Sequence, residues 1–390
     1  MKNFTYYVPT MVHFGTNQLK NLTKLAQSGK NVLLVYGGGS IKRSGLYDRV
    51  VASLQEAGID FLEMGGVEPN PKLSMVREGI ALCRKEGIEM ILAVGGGSAI
   101  DAAKSAAVML KYPEKKCADL YEYTFTPTEA LPIVAVNLTH GTGTECNRFA
   151  VVSIPEKNYK PAIAYDLIYP RYAIDDPALM TGLSLAQTRY VSIDAMNHVI
   201  EAATSRSANT LSIQLAAETI RLVTEYLPLA EKDPKDLKAR YFLAYAAMIA
   251  GWAFDNGLLH YTHALEHPLS AVKSDLAHGL GLAMLLPAVV ENIWQESGPL
   301  LAQLFAPFAP GLDGSPKGAA KAAHAVQKFL VAHGVSEKLS DLGFTEDDVP
   351  VLTELAMNTP SLGGLLDQAP TYADRVAVSA IYLNSMTMNP

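Results

Sequence analysis

The pattern of apolar and polar positions along this chain changes period near its middle. Between about residues 30 and 165, short uninterrupted apolar runs alternate with longer segments of helical spacing. Val32-Leu33-Leu34-Val35-Tyr36 is closed by Gly37-Gly38-Gly39, Phe61-Leu62-Glu63-Met64 by Gly65-Gly66, and Met90-Ile91-Leu92-Ala93-Val94 by Gly95-Gly96-Gly97. Ile133-Val134-Ala135-Val136 runs into a stretch rich in Thr and Gly. Runs this short, apolar throughout and bounded by glycine predict strands buried on both faces. The segments between them, 46–57, 72–86 and 99–110, read as helices. Strand–helix–strand repetition predicts βαβ units and a parallel sheet.

After about residue 180 the strand signals stop. Segments 183–203, 211–227, 237–254, 279–294 and 317–332 are rich in Ala, Leu and Ile at helical spacing, with Pro228, Pro234, Pro287 and Gly334 as breakers. Asp175-Asp176-Pro177 is a turn signal, and the boundary is placed just after it. The expected architecture is an α/β domain over residues 1–180 followed by an all-helical domain over 181–390, with a cleft between them as the place for a small-molecule site.

Composition narrows the class. Hydrophobic residues make up 49% of the 390 and charged residues 18%, enough to build a large core. The net charge of -7, without any block of Lys or Arg, argues against nucleic acid as a partner. Three widely spaced cysteines (Cys83, Cys117, Cys146) define neither a disulfide framework nor a CxxC zinc motif. The start, Met1 to Tyr7, has no apolar signal core, and the stretch 282–290 is too short to span a bilayer and contains Pro287. A cytoplasmic protein without membrane contact is expected.

The glycine loops carry the first chemistry. Gly95-Gly96-Gly97-Ser98 follows a predicted strand and opens a predicted helix. Consecutive glycines let the backbone approach a ligand and aim several N–H groups at it, and a helix start adds partial positive charge. The arrangement suits a diphosphate; a turn needing glycine for steric reasons alone reads the same way. Asp101 is placed either to cap the first helical turn or to bond a sugar or amide. At the end of the first strand, where NAD-selective sites hold an acid for the ribose hydroxyls, stands Gly37-Gly38-Gly39-Ser40-Ile41-Lys42-Arg43. Small residues leave room for a 2′-phosphate and two cations lie close by, which leans toward NADP; the same cations also fit a solvated helix start. Thr139-His140-Gly141-Thr142-Gly143-Thr144-Glu145 is a third polar loop after a strand.

The second chemistry is an acid and histidine cluster. Five of the nine histidines fall between residues 198 and 278. Asp194 and His198 stand at i and i+4 among apolar neighbours, so a buried carboxylate there needs a counter-charge or a metal. His260, His263 and His267 lie at i, i+3 and i+7 and share one face, and His278 precedes Gly279 at a predicted helix start. Asp and His from one helix, a His from a second and a His from a loop make a four-ligand N/O set suited to Fe²⁺ or Zn²⁺. Spacing does not decide which of the middle three binds. Pro268 biases His267 toward a kink or helix end, which favours His263 as ligand and leaves His260 as a neighbour of the site or a solvent residue.

Taken together these residues resemble the iron-containing alcohol dehydrogenase family, in its butanol-dehydrogenase-like branch. The resemblance spans nearly the whole chain, from Phe4-Thr5-Tyr6-Tyr7-Val8-Pro9-Thr10 and Phe14-Gly15 through Pro69-Asn70-Pro71, the two glycine loops with Asp101 and Lys104, and Asp176-Pro177. It continues with Asp194-x-x-x-His198-x-x-Glu201, His263-x-x-x-His267 and His278-Gly279 before Leu286-Pro287. It implies the two-domain architecture shared with dehydroquinate synthase, with a dinucleotide-binding sheet in the first half. By resemblance, Asp194, His198, His263 and His278 hold the metal and His267 stands beside it facing substrate. Gly38, Ser40, Asn70, Gly96, Gly97, Ser98, Asp101, Thr139, Thr142, Asn147, Lys160 and Leu179 line the cofactor cleft. Glu201 is either a partner of a ligand or a solvated glutamate. The chain departs from the pattern at 140–144, where many relatives have Ala-Ala-Thr-Gly-Ser; His140 is expected to alter contacts beside the nicotinamide.

The implied activity is hydride transfer between a small primary alcohol or aldehyde and NADP(H), preferred over NAD(H), in a homodimer. Iron, or zinc in its place, acts as Lewis acid on the substrate oxygen. A sugar-phosphate cyclase similar to dehydroquinate synthase is the alternative within enzymes. It requires cations around the metal motif, whereas Asp194–Glu201 and Leu258–His278 contain only Lys273. A catalytically silent metal or nucleotide sensor is the alternative outside them.

Overall fold

The computed structural model describes residues 2–27, 29–83 and 85–387. Met1, in the opening segment, and Arg84, in the predicted helix 72–86, lie outside them. The elements of the first half are β1 (Met11–Phe14), β2 (Asn31–Gly37), α1 (Ser40–Arg43), α2 (Leu46–Glu56), β3 (Asp60–Val67), α3 (Leu73–Cys83), β4 (Met90–Gly95), α4 (Gly97–Met109), α5 (Cys117–Tyr121), β5 (Ile133–Asn137), β6 (Phe149–Val151), β7 (Ala162–Ala164) and β8 (Tyr172–Asp175). Helices follow: α6 (Leu185–Thr204), α7 (Thr210–Lys232), α8 (Leu237–Gly257), α9 (Tyr261–Val272), α10 (His278–Phe305), α11 (Ala319–Ala332), α12 (Val349–Asn358), α13 (Leu362–Leu366) and α14 (Arg375–Asn384).

Six strands form one parallel sheet in the order β1-β8-β5-β4-β2-β3. Its middle strands are buried on both faces. Leu33, Val35, Ile91 and Ala93 pack toward α3 and α4, while Val32, Leu34, Leu92 and Val94 pack toward α2 on the other face. This is why those runs are apolar without interruption. The sheet is wider than the sequence pattern suggests. β1 and β8 fall outside the 30–165 window, because four-residue strands, one of them a partly exposed edge, carry too few apolar positions to stand out.

The helical half forms a separate apolar cluster running from Ile193 to Met386. Two expected breakers do not break: Pro228 lies inside α7, and Pro287 inside α10, which also contains Pro299. An interior proline costs about 3 kcal/mol locally. Around Pro287, however, Leu285, Leu286, Ala288 and Val289 are at most 4% exposed, and burial of that face outweighs the cost. Among the described residues no single helix is long and apolar enough to cross a membrane; α8 and α9 pass that test only as a pair bent by 105°.

Candidate functional site

The chain leaves β2 for the edge strand β3, then returns on the other side of β2 as β4 and builds outward through β5. Winding therefore reverses between β2 and β4. Open α/β sheets bind ligands outside the carboxyl ends of the strands at such a reversal. Both glycine loops sit there: a Cβ added at Gly95 would lie 3.8 Å from the Gly37 amide nitrogen. Gly38 and Ser40 are exposed, and Gly96, Gly97 and Ser98 are half-buried at the start of α4. The third loop leans on the second. A Cβ at Gly96 would lie 2.7 Å from Thr139 Cγ2, and one at Gly97 2.6 Å from Thr142 Cγ2. Close packing thus requires glycine at both positions while their amides border the crevice.

Other residues expected in the cleft have their polar groups engaged by the protein itself. Asp101 accepts from Thr144 Oγ1 at 2.7 Å and from the Val151 amide at 3.0 Å. Asn147 Oδ1 accepts from the Phe149 amide at 2.9 Å, and its Nδ2 donates to Gly143 O at 3.0 Å. Buried Lys104 ties this loop together, donating to Thr144 Oγ1 and Asn147 O at 2.8 Å each and to Phe149 O at 2.7 Å. Asn70 Nδ2 donates to Ser274 O at 3.1 Å and Leu276 O at 3.0 Å, across to the helical half. Lys160 turns to Glu266 and Ser270. Leu179 packs on the sheet face that holds Val32 and Leu34. The structure gathers Gly38, Ser40, Gly96, Gly97, Ser98, Thr139 and Thr142 at the crevice.

The third loop also reaches the helical half. A Cβ at Gly141 would lie 2.8 Å from Val191 Cβ and 3.1 Å from Asp194 Oδ2. Gly143 takes φ +59°, and a Cβ there would lie 2.5 Å from the Gly251 Cα in α8. Residues 138–144 therefore touch the crevice on one side and Asp194 on the other.

Asp194 and His198 lie on α6, His263 on α9 and His278 at the first position of α10. His198, His263 and His278 place their Nε2 atoms 3.6, 3.7 and 3.8 Å from Asp194 Oδ1. These distances are too long for hydrogen bonds. They fit donors around one ion, since ligands about 2.1 Å from a tetrahedral metal stand roughly 3.4 Å apart. One atom each from Asp194, His263 and His278 lies within 4.8 Å of the others. Asp194 Oδ1 and His263 Nε2 are buried without a hydrogen-bond partner among the described residues. A carboxylate oxygen and an imidazole lone pair left unpaired in a dry site fit a divalent cation.

The surroundings fix the imidazoles. His198 is sandwiched between Phe254, at 4.4 Å between ring centroids, and His263, at 4.5 Å. His263 Nδ1 bonds Glu201 Oε2, and His278 Nδ1 bonds Glu266 Oε2. Ionised carboxylates only accept, so both Nδ1 atoms donate, and in the neutral ring Nε2 carries the lone pair. Burial pushes His198 down to about 3, which keeps it neutral. Burial opposes ionisation of Asp194, but His198, His263 and His278 outweigh it and hold the carboxyl at about 2. Burial also lowers His263, yet Glu201 and Asp194 on either side push it up to about 9, so the centre of the cluster favours positive charge.

Two expectations are corrected here, and one pair of alternatives is decided. His260 is a neighbour of the site and not a solvent residue: it is fully buried at the N-cap of α9, with Nε2 2.9 Å from Thr204 Oγ1 and Nδ1 3.5 Å from Glu201 Oε1. Pro268 does not end the helix, since α9 continues to Val272 around the buried Leu269 and Ser270. His140 does not face the crevice. It is buried between α6 and α8, with Nε2 2.9 Å from Arg240 Nη1 and Nδ1 3.4 Å from Ser192 Oγ. Guanidinium only donates, so Nε2 accepts, and burial with the nearby cation lowers the pKa to about 3. Glu266 and Phe254 were not singled out from the sequence. The signal for Glu266 was a lone carboxylate between His263 and His267 in an otherwise apolar helix.

The model of the iron-containing alcohol dehydrogenase family matches residues 9–177, and that of the Fe-containing alcohol dehydrogenase family, C-terminal, matches 188–386. The chain is 50% identical over 389 residues to the long-chain primary alcohol dehydrogenase AdhA of Thermoanaerobacter ethanolicus, covering 98% of this chain and 96% of that one. It is 33% identical to the NADH-dependent butanol dehydrogenase B of Clostridium acetobutylicum, covering 91% and 93%. The crystal structure of the NADH-dependent butanol dehydrogenase A of Thermotoga maritima superposes with TM-score 0.90 at 32% identity, covering 100% and 99%. The chain belongs to the iron-containing alcohol dehydrogenase family and is an oxidoreductase acting on CH–OH groups. This runs against the sugar-phosphate cyclase alternative.

Proposed function

We propose that the protein interconverts small primary alcohols and aldehydes, with NADP(H) preferred over NAD(H) and a divalent iron held by Asp194, His198, His263 and His278. On this reading residues 1–180 hold the nucleotide and 181–390 the metal. The observation that carries it is the convergence of three Nε2 atoms on Asp194 Oδ1, beside a loop that also packs on the glycine loop of the crevice. When bound, the ion supplies Lewis acidity and the nicotinamide supplies a hydride acceptor or donor. The protein's part is to position, to exclude water and to move a proton.

His267 is our candidate for the last of these. It is 4% exposed, and its ring centroid is 5.9 Å from that of His278. Its Nδ1 donates to Lys160 O at 2.8 Å, which leaves the Nε2 lone pair to take a proton. His267→Ala is expected to keep its metal in elemental analysis and to lower kcat by about a hundredfold or more, the usual worth of a positioned general acid or base. Loss of metal as complete as in a ligand variant reverses the two roles.

The nucleotide preference rests on the end of β2. No acid stands at Gly37-Gly38-Gly39. Glu63, on the neighbouring strand, is taken up by the Tyr36 and Tyr47 hydroxyls at 2.6 and 2.5 Å. Lys42 lies over the Tyr47 ring at 4.8 Å, whereas exposed Arg43 reaches over Gly39, its Nη1 2.7 Å from where a Cβ would stand. Open backbone with a guanidinium above it favours a 2′-phosphate. The test is oxidation of NADPH and NADH with a series of short aldehydes, before and after chelation and after return of Fe²⁺ or Zn²⁺. Activity that depends on the ion, with higher kcat/KM for NADPH, is expected. A wild-type preference for NADH refutes the nucleotide assignment, and activity untouched by chelation refutes the metal.

A further inference from the structure

Glu266 is fully buried on α9, three residues after His263 and one before His267. A carboxylate shut off from water persists only with partners of opposite charge or strong donors. Its Oε2 has both. It accepts from His278 Nδ1, and it pairs with Lys160 Nζ at 3.2 Å, the two side chains being 0% and 5% exposed. Lys160 belongs to the other half of the molecule, in the connection between β6 and β7. Its Nζ also donates to Ser270 Oγ at 2.7 Å, and its own carbonyl accepts from His267 Nδ1 at 2.8 Å. One lysine of the α/β half thus holds two histidines of the helical half, His278 through Glu266 and His267 through its backbone. Asn70 adds a second link to the same place, bonding Ser274 O and Leu276 O just before His278. Glu201 also receives an imidazole Nδ1, from His263, but its other bonds, from the Thr262 and His263 amides, stay within the helical half.

We propose that Glu266 is a positioning residue that fixes His278 toward the metal and, through its buried pair with Lys160, makes the metal centre depend on the α/β half. This rests on the metal assignment made above. A carboxylate that receives the far nitrogen of a ligating imidazole fixes the ring's orientation and tautomer and raises its basicity, and removing such a partner costs about 10–100-fold in metal affinity. Among the described residues Lys160 bonds Glu266, Ser270 and His267 and none of the four metal ligands, so its link to the ion runs through Glu266.

The test uses the full-length protein and Co²⁺, whose visible bands report ligand geometry. Affinity is read by competition with a chromophoric chelator in the parent, Glu266→Gln, Lys160→Met and the double variant, with far-ultraviolet circular dichroism of the metal-free forms as fold control. Glu266→Gln is expected to weaken Co²⁺ binding by about 10–100-fold and to shift its visible bands, with unchanged dichroism. The double variant is expected to bind like Glu266→Gln alone. If Glu266→Gln fails to fold, Gly281→Ala takes its place, because a Cβ there would lie 2.7 Å from Glu266 Cγ and would push the carboxylate without discharging it. A parent that binds no Co²⁺ overturns the metal assignment and this proposal with it. A parent that binds while Glu266→Gln binds equally well, with the same bands, overturns this proposal alone, as does a double variant in which the two losses add.

Discussion

Asp194→Ala is expected to purify folded, without metal and without turnover. Asp194 Oδ1 is the atom around which the Nε2 atoms of His198, His263 and His278 are arranged, and Asp194 is the only carboxylate among the four side chains. Removing it takes away a ligand and leaves the ion facing three neutral imidazoles, with its charge uncompensated in a dry site. Loss of affinity should exceed the roughly 10–100-fold typical of residues that merely support a ligand. The Lewis acid itself is worth several kcal/mol, so kcat should fall by about a thousandfold or more. The helix should survive: Ile193, Ala195, Met196, Val199 and Ile200 anchor α6 at 3% exposure or less. Elemental analysis after dialysis, with circular dichroism alongside, decides the matter. Full metal occupancy in Asp194→Ala would remove the residue from the ligand set.

The second large effect is expected from Gly38→Asp, read as a ratio. NADPH should lose about ten- to a hundredfold more kcat/KM than NADH, since a like charge placed against the 2′-phosphate costs on the order of 1–3 kcal/mol in a partly desolvated cleft. The backbone accepts the change. Gly38 is exposed, its φ lies outside the left-handed region, and an added Cβ meets no atom within 4 Å. The cation nearest in the chain's own packing is Arg43, which reaches over the adjoining Gly39. A pair between Arg43 and the introduced carboxylate acts in the same direction, because it occupies the cation that would otherwise meet the phosphate. Equal losses for both nucleotides would place the 2′-phosphate elsewhere than at this loop.

Much of this arrangement is legible in residues that have no alternative. Leu33 and Leu34 face opposite sides of one sheet, so both must be apolar, and a run of such residues closed by glycine has few other readings. Asp194 and His198 among apolar neighbours announce a buried polar pair because burial without a partner is prohibitive. What spacing does not convey is direction. Asp101 follows a glycine loop at a position suited to a sugar, yet its oxygens turn inward to Thr144 and Val151. Asn70 lies in the loop after β3, and its amide nitrogen bonds carbonyls more than two hundred residues away in sequence. His140 stands in the polar loop after β5 and nevertheless points at Arg240, a partner that only the folded chain brings near. Pro287 was read locally as a stop, whereas the apolar face around it is a property of the whole bundle.

The register of the sheet also dictates an order of events during synthesis. β1 pairs only with β8, Met11 opposite Tyr172, so the first strand made has no partner until the last strand of the sheet has left the ribosome. At about 5–20 residues per second that wait is on the order of ten seconds. The crevice needs less of the chain: β2, β4 and β5, with the loops that follow them, are complete once residue 144 has emerged. The crevice side of the sheet can therefore form while its amino-terminal strand is still unpaired, and His278 is not translated until long after both.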